Sequence, residues 1–528
     1  MAVRSTFSGF SITQMAMSAS QRALDVVGQN ISNINTGGYT RQRLDLLSIS
    51  PEGHSQWNMA GSVKVGQGVM MTGVSQIRDP YLDIQYRGQL TDVGTVDSKS
   101  TVLDKLADIF DETDRVAIRD AMNNVVSQLQ NMSQADKTGQ DSADNLVRGA
   151  MESLLTLMHN NASRLDQTET ELIDRLQGTE TQKIQGYLES IKEYNEAIKT
   201  SQILGNPALE LLDQRNAVID ELATYMPIEV TYGKEDVGGG FLVETLKISY
   251  KEEAGTKYTL VDDSEIGSVK IEADAGGRAP VEVLVTDTEG NKSDVTAVLD
   301  KGVLAGYTEM LNEKGSFADG QLETNGIPFY REYFDRFVDE FAMTLNKLNG
   351  VEYDDKGIVT ANEDKVLFTT ADGAAAGFTA SNIRISDAWK SGSLRITTTT
   401  QGAPGADVSV DSANDNVLKM ISALTNELHE IKNDDSVTIF KGTFFDIYDN
   451  LQNTNATDAS SINRILENRV SVLTQIADSK DSVSGVNLDE EVMDLMRYQQ
   501  SYNAAARAMT IMDEVLDKLI NSTGIAGR

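Results

Sequence analysis

Three histidines, His54, His159 and His429, stand far apart, and none has a second histidine or a carboxylate at the spacing of a zinc ligand set. The chain has no cysteine, so disulfides and thiolate metal sites are excluded. Gly238-Gly239-Gly240-Phe241 follows an acid pair, Glu235 and Asp236. A phosphate cradle needs a helix after such glycines and usually a lysine. Here Leu242, Val243 and Leu246 read as strand, so a hairpin turn is expected. The acid-rich turns at Asp262-Asp263, Asp354-Asp355 and Asp411–Asp415 resemble loose calcium ligand sets, yet none has the glycine and closing glutamate of an EF-hand. They are expected to be solvated turns. The two tryptophans, Trp57 and Trp389, are too far apart in sequence to suggest the aromatic-walled carboxylate cleft of a glycosidase. No Gly-x-Ser-x-Gly nucleophile pattern appears. The expectation is a protein that is not an enzyme and uses no cofactor or metal.

One polar pattern is left over: Asn30-Ile-Ser-Asn33-Ile-Asn-Thr36-Gly-Gly38-Tyr39-Thr-Arg41. Physically it is a helix end followed by a glycine-enabled turn with an aromatic anchor. The elements that must hold it lie at the two ends of the chain. Ile12, Met15, Ala19, Ala23, Val26, Asn30 and Ile34 recur at steps of three and four, which predicts a helix stopping near Asn35. Val492, Leu495, Gln499, Tyr502, Ala506, Met509, Met512, Leu516 and Leu519 do the same from Asn487 to Ile520. Asn487 or Asp489 can cap that helix, and Glu490 and Glu491 complement its dipole. Both stripes are thin, since small residues bury little area. The expectation is that they close on each other as a coiled coil, with the rest of the chain looping out between them.

The chain has 528 residues and a net charge of −34, which argues against nucleic acid and anionic membrane surfaces as partners. Residues 1–50 depart from this acidity, with Arg4, Arg22, Arg41 and Arg43 against Asp25 and Asp45. The first twenty residues lack the basic start and apolar core of a secretory signal, and no run is long and apolar enough to span a membrane.

Residues 37–95 read as an extended, partly β linker that rejoins helix near Val96. From Asp97 to Tyr225 the pattern is almost all helix, in heptads that suggest a rod-like bundle. Asn206-Pro207 reads as a cap with proline at the first helical position. At Pro227 the period switches to two, predicting an all-β insertion over 228–300. Helix returns at Val303–Leu311 and Tyr330–Leu348, and a second β-rich piece covers 351–410. Val417, Ile421, Leu424, Leu428 and Ile431 read as one heptad helix, with two more at Phe444–Leu451 and Ile462–Ile476. The fold class is therefore mainly α with two inserted β domains. Its expected division is a terminal-helix domain (1–50 with 485–528), a helical rod (51–227, 301–350 and 411–484), and β insertions at 228–300 and 351–410.

The Asn30–Arg41 pattern resembles the N-terminal signature of the bacterial flagellar axial proteins, N-x-x-N-x-x-T-x-G-[YF]-x-R. Further blocks narrow the resemblance to the hook-associated family that forms the hook–filament junction. They are Gly73-Val74 through Ile77-Arg78-Asp79, with Leu82 and Tyr86-Arg87; Leu211-Leu-Asp-Gln-Arg215; and Ser484-Gly-Val-Asn-Leu488-Asp-Glu-Glu491, with Tyr498-Gln-Gln-Ser-Tyr502 and Ala505-Ala506. Asn216 departs from the family's aspartate at the end of the second block. The β regions carry no such likeness. The resemblance implies a structural subunit of an extracellular flagellum, exported without a cleaved signal peptide by the type III apparatus with a chaperone. It implies self-association in an axial ring, with the hook protein and a second junction protein as neighbours. The assembly interface expected from the stripes is Ile12, Met15, Ala19, Ala23, Val26, Val492, Leu495, Gln499, Tyr502, Ala506, Met509 and Leu516. Asn30, Asn33, Thr36, Gly38, Tyr39 and Arg41 form the axial motif. Another axial protein, or an adhesin displayed by the β insertions, is the alternative.

Overall fold

The computed structural model describes residues 7–49, 66, 68–110, 118–135, 139–238, 242–251, 255–274, 279–318, 324–354, 358–399 and 414–522. His54, Trp57, Gly239–Phe241, Asp355 and the residues 411–413 fall outside that set.

Helix α1 (Phe7–Ser32) leads into a ribbon of β1 (Gln42–Ser48) and β2 (Val69–Gln76), paired antiparallel. Helix α2 (Pro80–Phe110) follows. It starts well before the expected Val96, with Pro80 in its first turn and Asp79 Oδ1 accepting from Tyr81 N at 2.9 Å. Periodicity missed this half because its buried side chains are polar: Asp83, Arg87, Gln89 and Thr91. Then come α3 (Ile118–Ser133) and α4 (Gln140–Arg175), which runs through a π-helical turn, Leu176–Glu180, directly into α5 (Thr181–Ile203). Helix α6 (Leu209–Tyr225) begins two residues later than Asn206-Pro207 suggested, because Ala208 takes a left-handed conformation and stands at its N-cap.

The 228–300 stretch holds two sheets. One is β3 (Ile228–Asp236), β4 (Leu242–Lys251), β5 (Lys257–Asp262) and β6 (Glu265–Ile266), and the other is β7 (Ser268–Ala273), β8 (Val281–Thr286) and β9 (Lys292–Asp294). β3 and β4 pair antiparallel out to Asp236 and Leu242, in line with the strand expected after the glycines. Val281, Val283 and Val285 are fully buried, and they belong to the same hydrophobic core as the helices. Next are α7 (Val303–Asn312) and α8 (Ile327–Leu348).

The described part of 351–410 is thinner in strand than expected. It has β10 (Glu352–Tyr353), β11 (Val359–Ala361), β12 (Phe368–Thr369), β13 (Arg384–Ile385) and one turn of helix, α9 (Asp387–Lys390). Its job is packing: Phe368, Phe378, Ile383 and Trp389 all enter the core.

Helix α10 (Asp415–Thr425) is shorter than its heptad implied. Ile431 instead lies in β14 (His429–Lys432), paired with β15 (Thr438–Gly442) around an Asn433–Ser436 turn, and Leu428 is exposed. The two expected helices after 443 are one, α11 (Phe444–Ser484), opened by a Thr443/Asp446 capping box. The last helix is α12 (Leu488–Ser522). Helix α11 packs antiparallel on α2, and the aromatic row of α8 fills the space beside them. Mainly helical, with small sheets inserted, is the observed class.

The two described histidines are structural. His159 Nε2 lies 2.7 Å from Ile383 O. His429 stacks on Phe444 and faces two acceptors, Glu340 Oε1 at 3.0 Å and Ala423 O at 2.9 Å. Both ring nitrogens face acceptors, an arrangement that favours the imidazolium. Burial opposes the charge, but the Glu340 carboxylate and the Ala423 carbonyl outweigh it and raise its pKa above the ordinary value. The contribution is thus full below the unfolded-state pKa of about 6.5. It fades as pH rises through the raised folded value. A fall in Tm of about 1–2 °C over that window is expected in calorimetry, and His429→Gln should remove the slope.

Candidate functional site at the joint of the terminal helices

Helices α1 and α12 lie antiparallel, with Ser20 Oγ 3.1 Å from Ser501 Oγ and Asn30 Nδ2 3.1 Å from Glu491 Oε2. On α12 the inward residues are Glu491, Tyr498, Ala505 and Met512 in one heptad row, and Leu495, Tyr502, Met509 and Leu516 in the other. The second row was legible in the sequence. The first is one residue out of phase with the expectation: Val492 (41 % exposed) and Gln499 point to solvent, and Ala506 is half-buried. The cause is Glu491, which turns inward for a polar partner and carries Tyr498 and Ala505 with it. On α1, Ala19 and Ala23 are buried and Ile12, Met15 and Val26 half-buried, while Val27 takes the buried place expected for Val26.

The axial motif forms the joint between this helix pair and the rod. Asn33 Oδ1 accepts from Thr36 Oγ1, and Gly38, at φ +77°, makes the left-handed step that turns the chain. Tyr39 then donates its hydroxyl to Asn30 Oδ1 at 2.9 Å. Burial and the nearby Glu210, Asp213 and Glu491 push that phenol's pKa well up, so it stays a donor. Asn30, 1 % exposed, also bonds both backbone polar groups of Gln42.

Arg41 is the centre. Its guanidinium reaches Glu491 at 2.7 Å, Glu490 at 2.6 Å and Asp494 at 3.7 Å. Its backbone N–H donates to Ser484 O at the end of α11, and its carbonyl accepts from Ile77 N. Partial burial disfavours the charge, but Glu491 and Glu490 raise the pKa regardless. Next door, Thr40 gives its N–H and hydroxyl to Asp213, at 2.9 and 2.6 Å. Burial raises the pKa of that carboxyl, and the two Thr40 bonds only partly offset it. Residues 39–42 therefore bind α1, α6, α11 and α12 at once.

Below the joint a polar ladder continues down α2. Asp83 meets Arg78 and Lys480, Lys480 meets Asp220 at 3.1 Å, and Asp220 meets Arg87 at 2.6 Å. Arg215, 1 % exposed, bonds Asn195 and Glu244 from beneath the Tyr232 ring. A half-open polar cleft of ≈ 850 Å³ is lined by the Asn33–Arg41 turn, α6 and residues of the segment 480–488. Among the described residues no group of three metal-ligating side chains occurs. The arrangement is a structural clasp, and it joins three sequence blocks that looked independent. Glu210 and Asp494 carried no signal of their own, while Asp213, Glu490 and Glu491 stood in the blocks that carry the resemblance with nothing to say that they meet Thr40 and Arg41.

A family model described as the flagellar hook-associated protein FlgK helical domain matches residues 103–368. The chain belongs to the FlgK family of flagellar hook-associated proteins. Two shorter models cover the ends: a flagella basal body rod protein model over 12–40, and the C-terminal model of the flagellar basal body rod FlgEFG proteins over 481–522. The two meet at the Arg41 joint. The flagellar hook-associated protein 1 of Bacillus subtilis is 28 % identical over 541 residues, covering 99 % of this chain and all of that one. Its Escherichia coli counterpart is 23 % identical, covering 96 % and 98 %. The solved flagellar hook junction protein FlgK of Burkholderia pseudomallei shares the fold, with a TM-score of 0.53 at 12 % identity over 76 % of this chain and all of that one. Family membership makes this a structural component of the bacterial flagellum. Among the described residues no helix is long and apolar enough to cross a membrane.

Proposed function

We propose that the chain is a subunit of the hook–filament junction, polymerised into an axial ring through its terminal helix pair. The observation that carries this is the Arg41 clasp. It locks two chain ends, 450 residues apart at Arg41 and Glu491, into one helical unit on the rod. That unit keeps an apolar outer row: Val492, Met493, Met496, Ile511 and Val515 are exposed on α12. A thin inner seam and an apolar outer face suit a helix pair completed by its neighbours. The hook protein and a second junction protein are the neighbours along the axis. The subunit reaches the extracellular flagellum through the flagellar type III apparatus with a chaperone, and catalyses no reaction. On this reading the terminal pair is the assembling unit, the helical rod carries it, and the β regions are packed onto the rod's core.

Tyr502 lies half-buried in the inner seam. Tyr502→Asp should abolish retention of the subunit on purified flagella while leaving the main thermal transition of the rod in place. A subunit that still assembles would remove the terminal pair from the proposal. Loss of the rod transition would make the pair part of the rod's own core.

A further inference from the structure

With no cysteine in the chain, methionine is its only sulfur residue, and two methionines of the terminal region fill notches left by glycines. Across the seam of the terminal pair, Met512 of α12 sets the end of its side chain against Gly9 of α1. A Cβ on Gly9 would lie 2.7 Å from Met512 Cε and 3.3 Å from its Sδ. Elsewhere on α1, Met15 does the same at Gly68, ahead of β2, where a Cβ would lie 2.7 Å from Met15 Cε. A thioether suits such a notch because it is unbranched, flexible and apolar.

Met512 combines contact with access. Met122, Met132, Met158, Met226 and Met310 are at most 2 % exposed, inside the rod. Met70, Met71, Met493 and Met496 are 41–59 % exposed and lie open on the surface. Met512 is half-buried, within reach of a small solute yet part of the seam. Thr13, one turn along α1 on the Gly9 face, already gives its hydroxyl to the Gly9 and Phe10 carbonyls, at 3.1 and 2.9 Å. An oxygen added to the sulfur would enter the notch without that donor to receive it, and a polar atom left unbonded in a packed seam costs free energy.

We propose that Met512 is an oxidation site whose modification opens the free end of the terminal pair. The oxidant is hydrogen peroxide or another of its class. The sulfur lone pair attacks one peroxide oxygen and the O–O bond breaks. The proton on the transferred oxygen passes to the departing one, which leaves as water. The thioether is oxidised to the sulfoxide and the peroxide is reduced. The opening is confined to one end, because Met512 lies about 32 Å along α12 from Glu491, at about 1.5 Å per residue. The Arg41 clasp holds the other end. The inference does not depend on ring assembly.

The test treats the full-length chain with graded hydrogen peroxide, maps oxidation by peptide mass, and follows amide exchange. Met512 should gain one oxygen after Met493 and Met496 and before the buried methionines of the rod. Exchange at the start of α1 and the end of α12 should then rise about tenfold or more, with α4, α8 and the residues around Arg41 unchanged. Enzymatic reduction of the sulfoxide should restore slow exchange. Met512→Leu, which leaves every other methionine in place, should keep slow exchange at the same dose. Three outcomes overturn the proposal: Met512 staying reduced until the buried methionines convert, exchange unaffected by its conversion, or an equal rise in Met512→Leu. The order of conversion and the reductase step are read on the parent chain, so they decide the matter even where leucine packs poorly.

Discussion

Arg41→Glu releases the terminal helix pair from the rod. Glu491 is 1 % exposed and is bonded by Arg41 and Asn30. Reversing the guanidinium leaves that buried carboxylate facing a second acid. Removing one partner of a buried pair costs about 3–5 kcal/mol, and the reversal adds repulsion. The same substitution disturbs Glu490 and Asp494, so α12 loses its anchor at its first two turns. Amide exchange should rise across α1 and α12 while α4 and α8 keep their protection. Arg41→Lys should recover only part of the loss, since an ammonium cannot span the carboxylates in the guanidinium's fixed fork. The paired variant Arg41→Glu with Glu491→Arg should recover part of the protection. Unchanged exchange in the single variant would show that the apolar seam alone holds the pair.

The second large effect is at the crossing of α2 and α7. A Cβ on Gly306 would lie 2.0 Å from Ser98 Oγ and 2.4 Å from the Thr95 carbonyl oxygen. Across α2, a Cβ on Gly94 would lie 2.4 Å from the Thr224 carbonyl oxygen. These helices touch nearly backbone to backbone, and neither carbonyl can swing away as a side chain could. Gly306→Val should cost at least about 3 kcal/mol, seen as a lower denaturant midpoint with the slope unchanged. Gly149 supplies the contrast. It sits on the exposed side of α4 with nothing near its missing Cβ. Gly149→Ala should therefore stabilise by about 0.5–1 kcal/mol. A tolerated valine at 306 would mean that the crossing is looser than its geometry states.

What the sequence revealed follows the chemistry of each seam. Apolar seams were legible, as in α4, α5 and α8, where leucine, isoleucine and phenylalanine keep the helical period. Polar seams were not. The first half of α2 packs through Asp83, Arg87, Gln89 and Thr91, so a hydrophobic period has nothing to register there. The same holds for the middle of α11, where Asn455 is buried and Asn463 bonds Ser100, and one helix read as two. At Leu428 and Ile431 the error ran the other way, because an apolar period continued by chance beyond a helix that had stopped. The axial motif was visible as a turn. Its partners were not, because Asp213 and Glu491 lie 173 and 450 residues from Thr40 and Arg41, and acids on a helix surface look alike until the fold brings them together.

The nested order of these contacts also sets a timetable. Ser20 and Ser501 are 481 residues apart, and Ser100 and Asn463 are 363 apart. Loop closure gets only slowly harder with length, by about 0.6 kcal/mol per doubling, yet contacts at such separations are late in any search that starts from an open chain. Helix pairs close in sequence, such as α3 with α4 and α5 with α6, can form first and shorten the effective loop for α2 and α11. Their closure in turn carries the two ends of the chain to one place. These separations favour folding from the inside outward, with the terminal pair as its expected last step. A chain stalled anywhere in its interior therefore presents no finished end to a growing structure.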